Sequence, residues 1–431
     1  MLLEFSVSNF RSFKDEQTIS LLAGLDKKHP GNYVRIGSHK ILKCAALYGA
    51  NASGKSNLVR AFEVMSGFVE LSATKMNVGD EIPGIVPFRL SPISGPQPSH
   101  FAIKLLIEGT VYHYSFATTA SKVLDEQLWA GLLGGSEKLW FSRQFDQAAQ
   151  EYRWEFGDLL HEGESVLKER TRENGLALSR AAEQNVKAVS TFFQTLAKKA
   201  WVLQLSDSPL GLFLQTARRM AQGREFADRV KALIRDADFS IADIAVEEKL
   251  PDSETLGALR KLFSESVSKR LDDKEFRVPS IRTIHRVRDT DAAVEFSMED
   301  ESNGTQRFFA LAGPVVDALE KGALLVVDEL DCSMHPLLAR KLLELFQSES
   351  WNPKGAQLIF TTHDTSLMQP ALFRRDQVWL VEKDASGASR LRSLYDYRKP
   401  RSTESFQRNY LAGRYGALPS FGPTFEDLET P

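Results

Sequence analysis

The eight residues Gly49-Ala50-Asn51-Ala52-Ser53-Gly54-Lys55-Ser56 constrain this chain more than any other feature. They fit the pattern G-x-x-x-x-G-K-[ST] and lie between an apolar run, Ile41 to Tyr48, and a helix expected from near Lys55. In that setting the glycines let backbone N–H groups close around phosphates, and the N-terminus of the helix favours their negative charge. Lys55 is placed to reach the outer phosphates of ATP and Ser56 to ligate Mg2+. Gly49, Asn51, Ser53, Gly54 and Asn57 complete the candidate nucleotide-binding set of this loop. The uniformly apolar strand before it is expected to be covered on both faces, which makes the chain α/β.

Three further segments bear on the chemistry. Ala323-Leu324-Leu325-Val326-Val327-Asp328-Glu329 is an apolar strand ending in two carboxylates. At the open end of a buried strand, Asp328 can hold magnesium through water and Glu329 can polarise an attacking water. Leu358-Ile359-Phe360-Thr361-Thr362-His363-Asp364 delivers an imidazole to the end of another apolar strand. Such a histidine can sense a γ-phosphate and orient water, or be a plain surface turn residue. Glu329 and His363 are the candidate catalytic residues. Glu301-Ser302-Asn303-Gly304-Thr305-Gln306 precedes a helix whose apolar face carries Phe308, Phe309, Ala312, Val315, Val316 and Leu319. Ser302 and Gly304 can present a hydroxyl and N–H groups to a phosphate, and the same residue types serve as ordinary caps.

Periodicity divides the chain into three expected domains, 1–160, 161–278 and 279–431. In the first, Leu3, Phe5 and Val7 alternate before Asn9-Phe10-Arg11-Ser12-Phe13, and the stretch 101–156 reads as antiparallel β with a turn at Glu108-Gly109. In the second, Val186, Val189, Phe193 and Leu196 share a helical face, as do Phe226, Val230, Leu233 and Ile234. Proline and glycine punctuate that region, so a compact helical insert is expected rather than a long coiled coil. In the third, strands at 281–288 and 293–298 precede a helix from about Thr305 to Glu320 and a strand at 323–328.

Charge and cysteine content exclude several classes. A formal net charge of -3 carries no global field for nucleic acid, so DNA contact would need a local patch. Arg398, Lys399, Arg401, Arg408 and Arg414, interleaved with Tyr395, Tyr397, Tyr410 and Tyr415, form such a stretch, although a charge run is more often a solvated face. Two cysteines, Cys44 and Cys332, are too few for a disulfide scaffold and suit a cytoplasmic protein. Uncharged apolar runs long enough to span a bilayer are missing, so no membrane partner is expected.

In this order the four segments resemble the nucleotide-binding head shared by ABC transporters, SMC proteins and RecF. The resemblance implies a Walker A loop at Gly49 to Ser56, a signature at Ser302 and Gly304, Walker B at Asp328 with Glu329, a switch histidine at His363 and a D-loop aspartate at Asp331. It also implies a nucleotide-linked homodimer or higher oligomer, in which Lys55 of one chain and Ser302 of another hold the same ATP. The chain is similar, more closely, to prokaryotic RloA-like ATPases, labelled AAA but built like ABC heads. Asn9 to Phe13, Glu301 to Gln306, Asp328-Glu329-Leu330-Asp331 running on to Met334-His335-Pro336, and Gly413-Arg414-Tyr415-Gly416-Ala417 carry that similarity. Glu301 and Asn303 stand where a transporter signature has leucine and glycine.

What the resemblance implies is an ABC-type P-loop ATPase head with an antiparallel β subdomain and an inserted helical subdomain. Members of the group often accompany TOPRIM-type nucleases in anti-phage loci. The expected function is an ATP-gated sensor or scaffold controlling a separately encoded nuclease. The alternative is a RecF-like DNA-repair ATPase that binds DNA directly. A small-molecule kinase would share the phosphate loop but has no use for the signature segment or the distal histidine.

Overall fold

The computed structural model describes residues 1–26, 28–204, 210–237, 240–251, 256–257, 277–287, 290, 292–332, 334–397 and 405–419. Its contacts divide the chain into two compact units: Met1–Leu203 with Lys321–Leu330 and Phe346–Pro431, and Gln204–Glu320 with Asp331–Leu345. The strands, in chain order, begin with β1 (Leu2–Ser8), β2 (Gln17–Ser20), β3 (Tyr33–Ile36), β4 (His39–Leu42) and β5 (Cys44–Tyr48). There follow β6 (Ser99–Ile107), β7 (Thr110–Thr118), β8 (Val123–Leu132), β9 (Lys138–Asp146), β10 (Glu151–Phe156) and β11 (Ala200–Gln204). The rest are β12 (Ile241–Lys249), β13 (Val278–Arg286), β14 (Ala293–Ser297), β15 (Leu324–Asp328), β16 (Gln357–Thr361), β17 (Val378–Lys383) and β18 (Ser389–Ser393).

Two sheets make the first unit. One runs β11-β15-β16-β5-β17-β18, and within it β15, β16, β5 and β17 are parallel. Every residue of β5, β15 and β16 is buried, as strands covered on both faces must be. The other sheet is antiparallel, β10-β9-β8-β7-β6-β1-β2. Its β1 buries Phe5 and Val7 and turns Glu4, Ser6 and Ser8 the other way, the alternation of a half-buried strand. The β6–β7 hairpin closes at Glu108 (φ 51) and Gly109 (φ 84), two left-handed residues that match strand twist. Helix α1 (Lys55–Leu71) packs its apolar face on this sheet: Phe62 stacks on Phe5 with ring centroids 3.7 Å apart, and Phe68 meets Phe116 edge-on.

A buried polar cluster fastens the antiparallel sheet. The Glu126 carboxylate accepts from Arg143 Nε at 2.8 Å, Tyr114 Oη at 2.9 Å, and the N–H groups of Ala177 and Leu178 at 2.7 and 2.9 Å. Glu126, Arg143 and Tyr114 are all fully buried. Burial beside the carboxylate pushes the Tyr114 phenol well above its ordinary pKa.

The boundaries expected from periodicity move. The helices at Glu164–Arg170, Ala177–Glu183 and Lys187–Lys198 stand in the first unit, not in an insert, because Leu167, Leu178, Val189 and Phe192 join the same core as the two sheets. Phe192 stacks on Tyr112 of β7. In the second unit the helices Leu210–Gln222 and Arg224–Ala237 are joined by a sheet β12-β13-β14. Strand β12 replaces helix over Ile241–Lys249, where the helical period was expected to continue. Buried Ile241 and Ile244 and the ladder onto β13 decide that segment, tertiary pairing overriding a short ambiguous pattern. Residues 258–276, expected to be helical, lie outside the described residues.

The helix Asn303–Lys321 contains Pro314, which lacks the N–H that the Ala310 carbonyl would otherwise accept. Thr216 Oγ1 from Leu210–Gln222 donates to that carbonyl at 3.2 Å. Gly313 leaves room for the approach, since a Cβ there would overlap the Thr216 side chain. Among the described residues, no helix is long and apolar enough to cross a membrane.

Candidate functional site

Because β15, β16 and β5 run parallel, their C-terminal ends open on one edge of the sheet, the place where α/β sheets bind ligands. The loop after β5 carries Gly49 to Ser56, and α1 starts at Lys55. Gly54 is the N-cap at φ 114, a conformation that favours glycine, and no side chain caps the helix. The start of α1 thus meets the loop with no side-chain cap, at the kind of helix N-terminus that favours an anion. The Lys55 ammonium is buried and donates to the carbonyls of Gly49 and Ala50 at 2.8 and 3.0 Å. Ala52 is also left-handed, at φ 60, which curls the loop.

Two serines outside the loop brace it. Ser389 Oγ, at the start of β18, donates to the Ser53 carbonyl at 2.6 Å and lies 2.7 Å from Ser12 Oγ. Asn57 Nδ2 donates to Ser12 Oγ at 2.8 Å. A Cβ at Gly54 would collide with both hydroxyls. The β17–β18 turn that presents Ser389 is fixed by Asp384, whose carboxyl is lowered to about 2, first by the Ser386 hydroxyl, with backbone N–H groups of Ser386 and Ala388 and the Arg390 guanidinium adding to it.

Asp328 and Glu329 stand at the end of β15. Thr361 Oγ1, at the end of β16, donates to Asp328 Oδ1 at 2.6 Å and accepts the Glu329 N–H at 2.7 Å. Asp328 is buried, whereas Glu329 is half-buried. Glu329 has φ 55, a left-handed conformation that is strained in a non-glycine residue and concentrates at functional sites. The donor types fit a hard divalent cation: the Ser56 hydroxyl and the Asp328 carboxylate would both offer oxygen.

A cleft of about 820 Å³ opens beside the loop, lined by Gly49–Ser53, Thr362, His363, Glu382, Tyr410 and Leu418, among others. His363 is exposed within it, two residues beyond β16. Arg11 lies instead in a separate 400 Å³ cavity with Arg60, Glu63 and Phe68. Desolvation, with the like charges of Arg60 and Arg89, lowers its guanidinium pKa despite opposition from Glu63.

Ser302 and Gly304 belong to the second unit, as does Asp331. Ser302 Oγ accepts the Thr305 N–H at 3.1 Å and pairs with Thr305 Oγ1 at 2.9 Å, capping the helix Asn303–Lys321. Ser302 and Asn303 are exposed. Glu301, which departs from a transporter signature, points inward and accepts from Thr283 Oγ1 and from His285 Nε2 at 2.7 Å on β13. Ser302 and Gly304 share a 440 Å³ pocket with His335 and Leu338. Asp331 accepts the Met334 N–H through its carbonyl.

The first unit therefore brings together Gly49, Asn51, Ser53, Gly54, Lys55, Ser56, Asn57, Asp328, Glu329 and His363. Thr361, Ser12 and Ser389 were not singled out from sequence. Thr361 carries a signal, a hydroxyl at the end of an apolar strand, and Ser12 sits inside the Asn9–Phe13 motif. Ser389 carries none. Of the basic C-terminal stretch, Arg398, Lys399 and Arg401 lie outside the described residues, while Tyr397 donates to the Tyr415 carbonyl and Tyr410 is buried. Tyr415 is buried too, with its ring edge-on to Tyr397, so three of the four tyrosines stand in packing contacts.

A phosphate loop after β5, a carboxylate pair at the end of β15 and a histidine after β16, beside an antiparallel sheet, define an ABC-type P-loop ATPase head. Residues 44–369 match the family described as "AAA domain, putative AbiEii toxin, Type IV TA system", and the chain belongs to that family. It is similar to a solved SMC head bound to the C-winged helix domain of ScpA, at 13% identity and TM-score 0.39, covering 91% of this chain and 97% of that one. It is also similar to the recombination mediator RecF solved with ATP, at 14% identity and TM-score 0.32, covering 91% and 97%. No curated protein matched the chain.

Proposed function

We propose that this protein binds ATP with Mg2+ and hydrolyses it between two copies of the chain, acting as an ATP-gated sensor or scaffold in prokaryotic anti-phage defence. The observation that carries the hydrolytic part is the Thr361 hydroxyl, which bonds the Asp328 carboxylate and the backbone N–H of Glu329 and so ties the two acidic residues together at one strand end.

In this scheme the N–H groups of the loop and of α1 surround the β-phosphate, and Lys55 leaves the loop carbonyls for the outer phosphates. Ser56 and Asp328 would hold Mg2+, which when bound neutralises phosphate charge. Glu329 accepts the proton of the attacking water, with its carboxylate aimed by the left-handed backbone. His363 stands on the γ-phosphate side and donates to a phosphoryl oxygen. Ser302 and Gly304, on an exposed and uncapped-by-glutamate helix start, close over the γ-phosphate held by the other copy, with Asp331 following at the same junction.

The defence role rests on the family description, which names a toxin of a toxin–antitoxin system, and on the similarity to RloA-like ATPases. The nuclease controlled would be a separate TOPRIM-type protein, in the cytoplasm. Phosphate release from ATP by the wild type, Lys55→Ala and Glu329→Gln tests the scheme. Turnover lost in both, with ATP binding lost only in Lys55→Ala, supports it; turnover unchanged in Glu329→Gln rejects the assigned base. Nuclease activity of the purified chain alone, dependent on Lys55, would reject the separate effector.

A further inference from the structure

The motif Gly413-Arg414-Tyr415-Gly416-Ala417 has no part in the scheme above, yet it is built into the wall of the phosphate-loop cleft. The helix Phe406–Leu411 leads into it, and Gly413, Gly416 and Ala417 are all left-handed, at φ 74, 69 and 59. Three tyrosines pin the turn. Tyr410 Oη donates to the Ala417 carbonyl at 3.1 Å, Tyr397 Oη to the Tyr415 carbonyl at 2.6 Å, and Asn409 Nδ2 to Tyr415 Oη at 3.1 Å. The Ala417 N–H bonds Glu382 at the end of β17, and a Cβ on Gly416 would crowd the same carboxylate. A left-handed alanine held by this many bonds is strain retained by its surroundings.

The turn leaves apolar side chains facing the cleft. Leu411 is 57% exposed, and Leu418 and Pro419 line the same space beside Gly49–Ser53. Sheet order tells which part of a nucleotide meets them. Asp328 ends β15, Glu329 follows it and His363 follows β16, all on one side of β5, so a γ-phosphate must face that way. The nucleoside then extends toward β17, on the opposite side, where Glu382 and the turn stand.

We propose that the C-terminal turn Gly413–Pro419, with Leu411, is the nucleoside-side wall of the cleft, packing the base and ribose while the phosphate loop holds the phosphates. This rests on the assignment of Gly49–Ser56 to ATP. The side chains of Leu411, Leu418 and Pro419 suit a base and carry no charge for a bare polyphosphate.

Calorimetric titration of the full chain with Mg-ATP and, separately, with inorganic tripolyphosphate tests it. The double variant Leu411→Ser/Leu418→Ser should bind ATP about tenfold more weakly, a loss of about 1.4 kcal/mol, with tripolyphosphate binding unchanged. Tyr410→Phe, which removes only the hydroxyl bond to Ala417, should move ATP affinity the same way by a smaller factor and guards against a folding defect. Lys55→Ala should weaken both ligands. ATP affinity unchanged in the leucine variant, or both ligands weakened equally, overturns the wall. Both ligands unaffected by Lys55→Ala would instead reject the phosphate-loop assignment itself.

Discussion

Thr361 Oγ1 donates a 2.6 Å hydrogen bond to Asp328, joining the end of one buried parallel strand to the carboxylate at the end of its neighbour. The same oxygen accepts the Glu329 N–H. One hydroxyl thereby serves the residue expected at the metal and the residue expected at the water.

Thr361→Val keeps the strand shape and removes that hydroxyl. It leaves a half-buried N–H and a buried carboxylate oxygen without their partner, which costs about 1–3 kcal/mol of stability. ATP turnover should fall at least about tenfold, equivalent to 1.4 kcal/mol in the barrier, with nucleotide binding kept. Thr361→Ser should retain turnover. Steady-state phosphate release with a thermal melt reads both effects, and wild-type turnover in Thr361→Val would deny the hydroxyl its role.

Gly54→Ala should weaken nucleotide binding while the rest of the chain folds. The φ of 114 is a poor place for any Cβ, and the added atom would meet Ser12 Oγ at 2.7 Å. Relieving that clash moves the loop away from Ser389 and Ser12, so affinity should drop more than about tenfold, or 1.4 kcal/mol. Fluorescent-nucleotide titration alongside far-UV circular dichroism separates a moved loop from an unfolded chain.

Glu126→Ala tests the cluster that fastens the antiparallel sheet. Arg143 would be left buried and charged, and the N–H groups of Ala177 and Leu178 would lose their acceptor. Breaking such a pair costs about 3–5 kcal/mol. Urea unfolding should show that loss. A change below about 1 kcal/mol would mean that water replaces the carboxylate, as at an exposed ion pair.

The parts of the fold written in local pattern were legible in the sequence. Uniform burial of Cys44–Tyr48 and of Leu324–Asp328 follows from unbroken apolar runs, and the hairpin at Glu108-Gly109 from turn chemistry. The phosphate loop and the carboxylate pair were legible because their residue types and their strand context coincide. The bracing of the loop was not, since Ser12 and Ser389 lie 377 positions apart and meet only through tertiary packing. Strand β12 escaped for the same reason: its partner β13 lies beyond residue 277, and nothing local to Ile241–Lys249 announces the pairing. Periodicity also found the helices at 164–198 but not their owner, because an amphipathic face does not say which core will cover it.

The two-copy arrangement is tested most directly by the mass of Glu329→Gln in solution, measured by light scattering with and without Mg-ATP. Glu329→Gln should bind ATP and hydrolyse it slowly, so the mass should double or rise further on adding nucleotide, and Ser302→Arg in the same background should prevent the rise. A mass unchanged by nucleotide, with ATP demonstrably bound, would contradict an ATP-gated union of two heads.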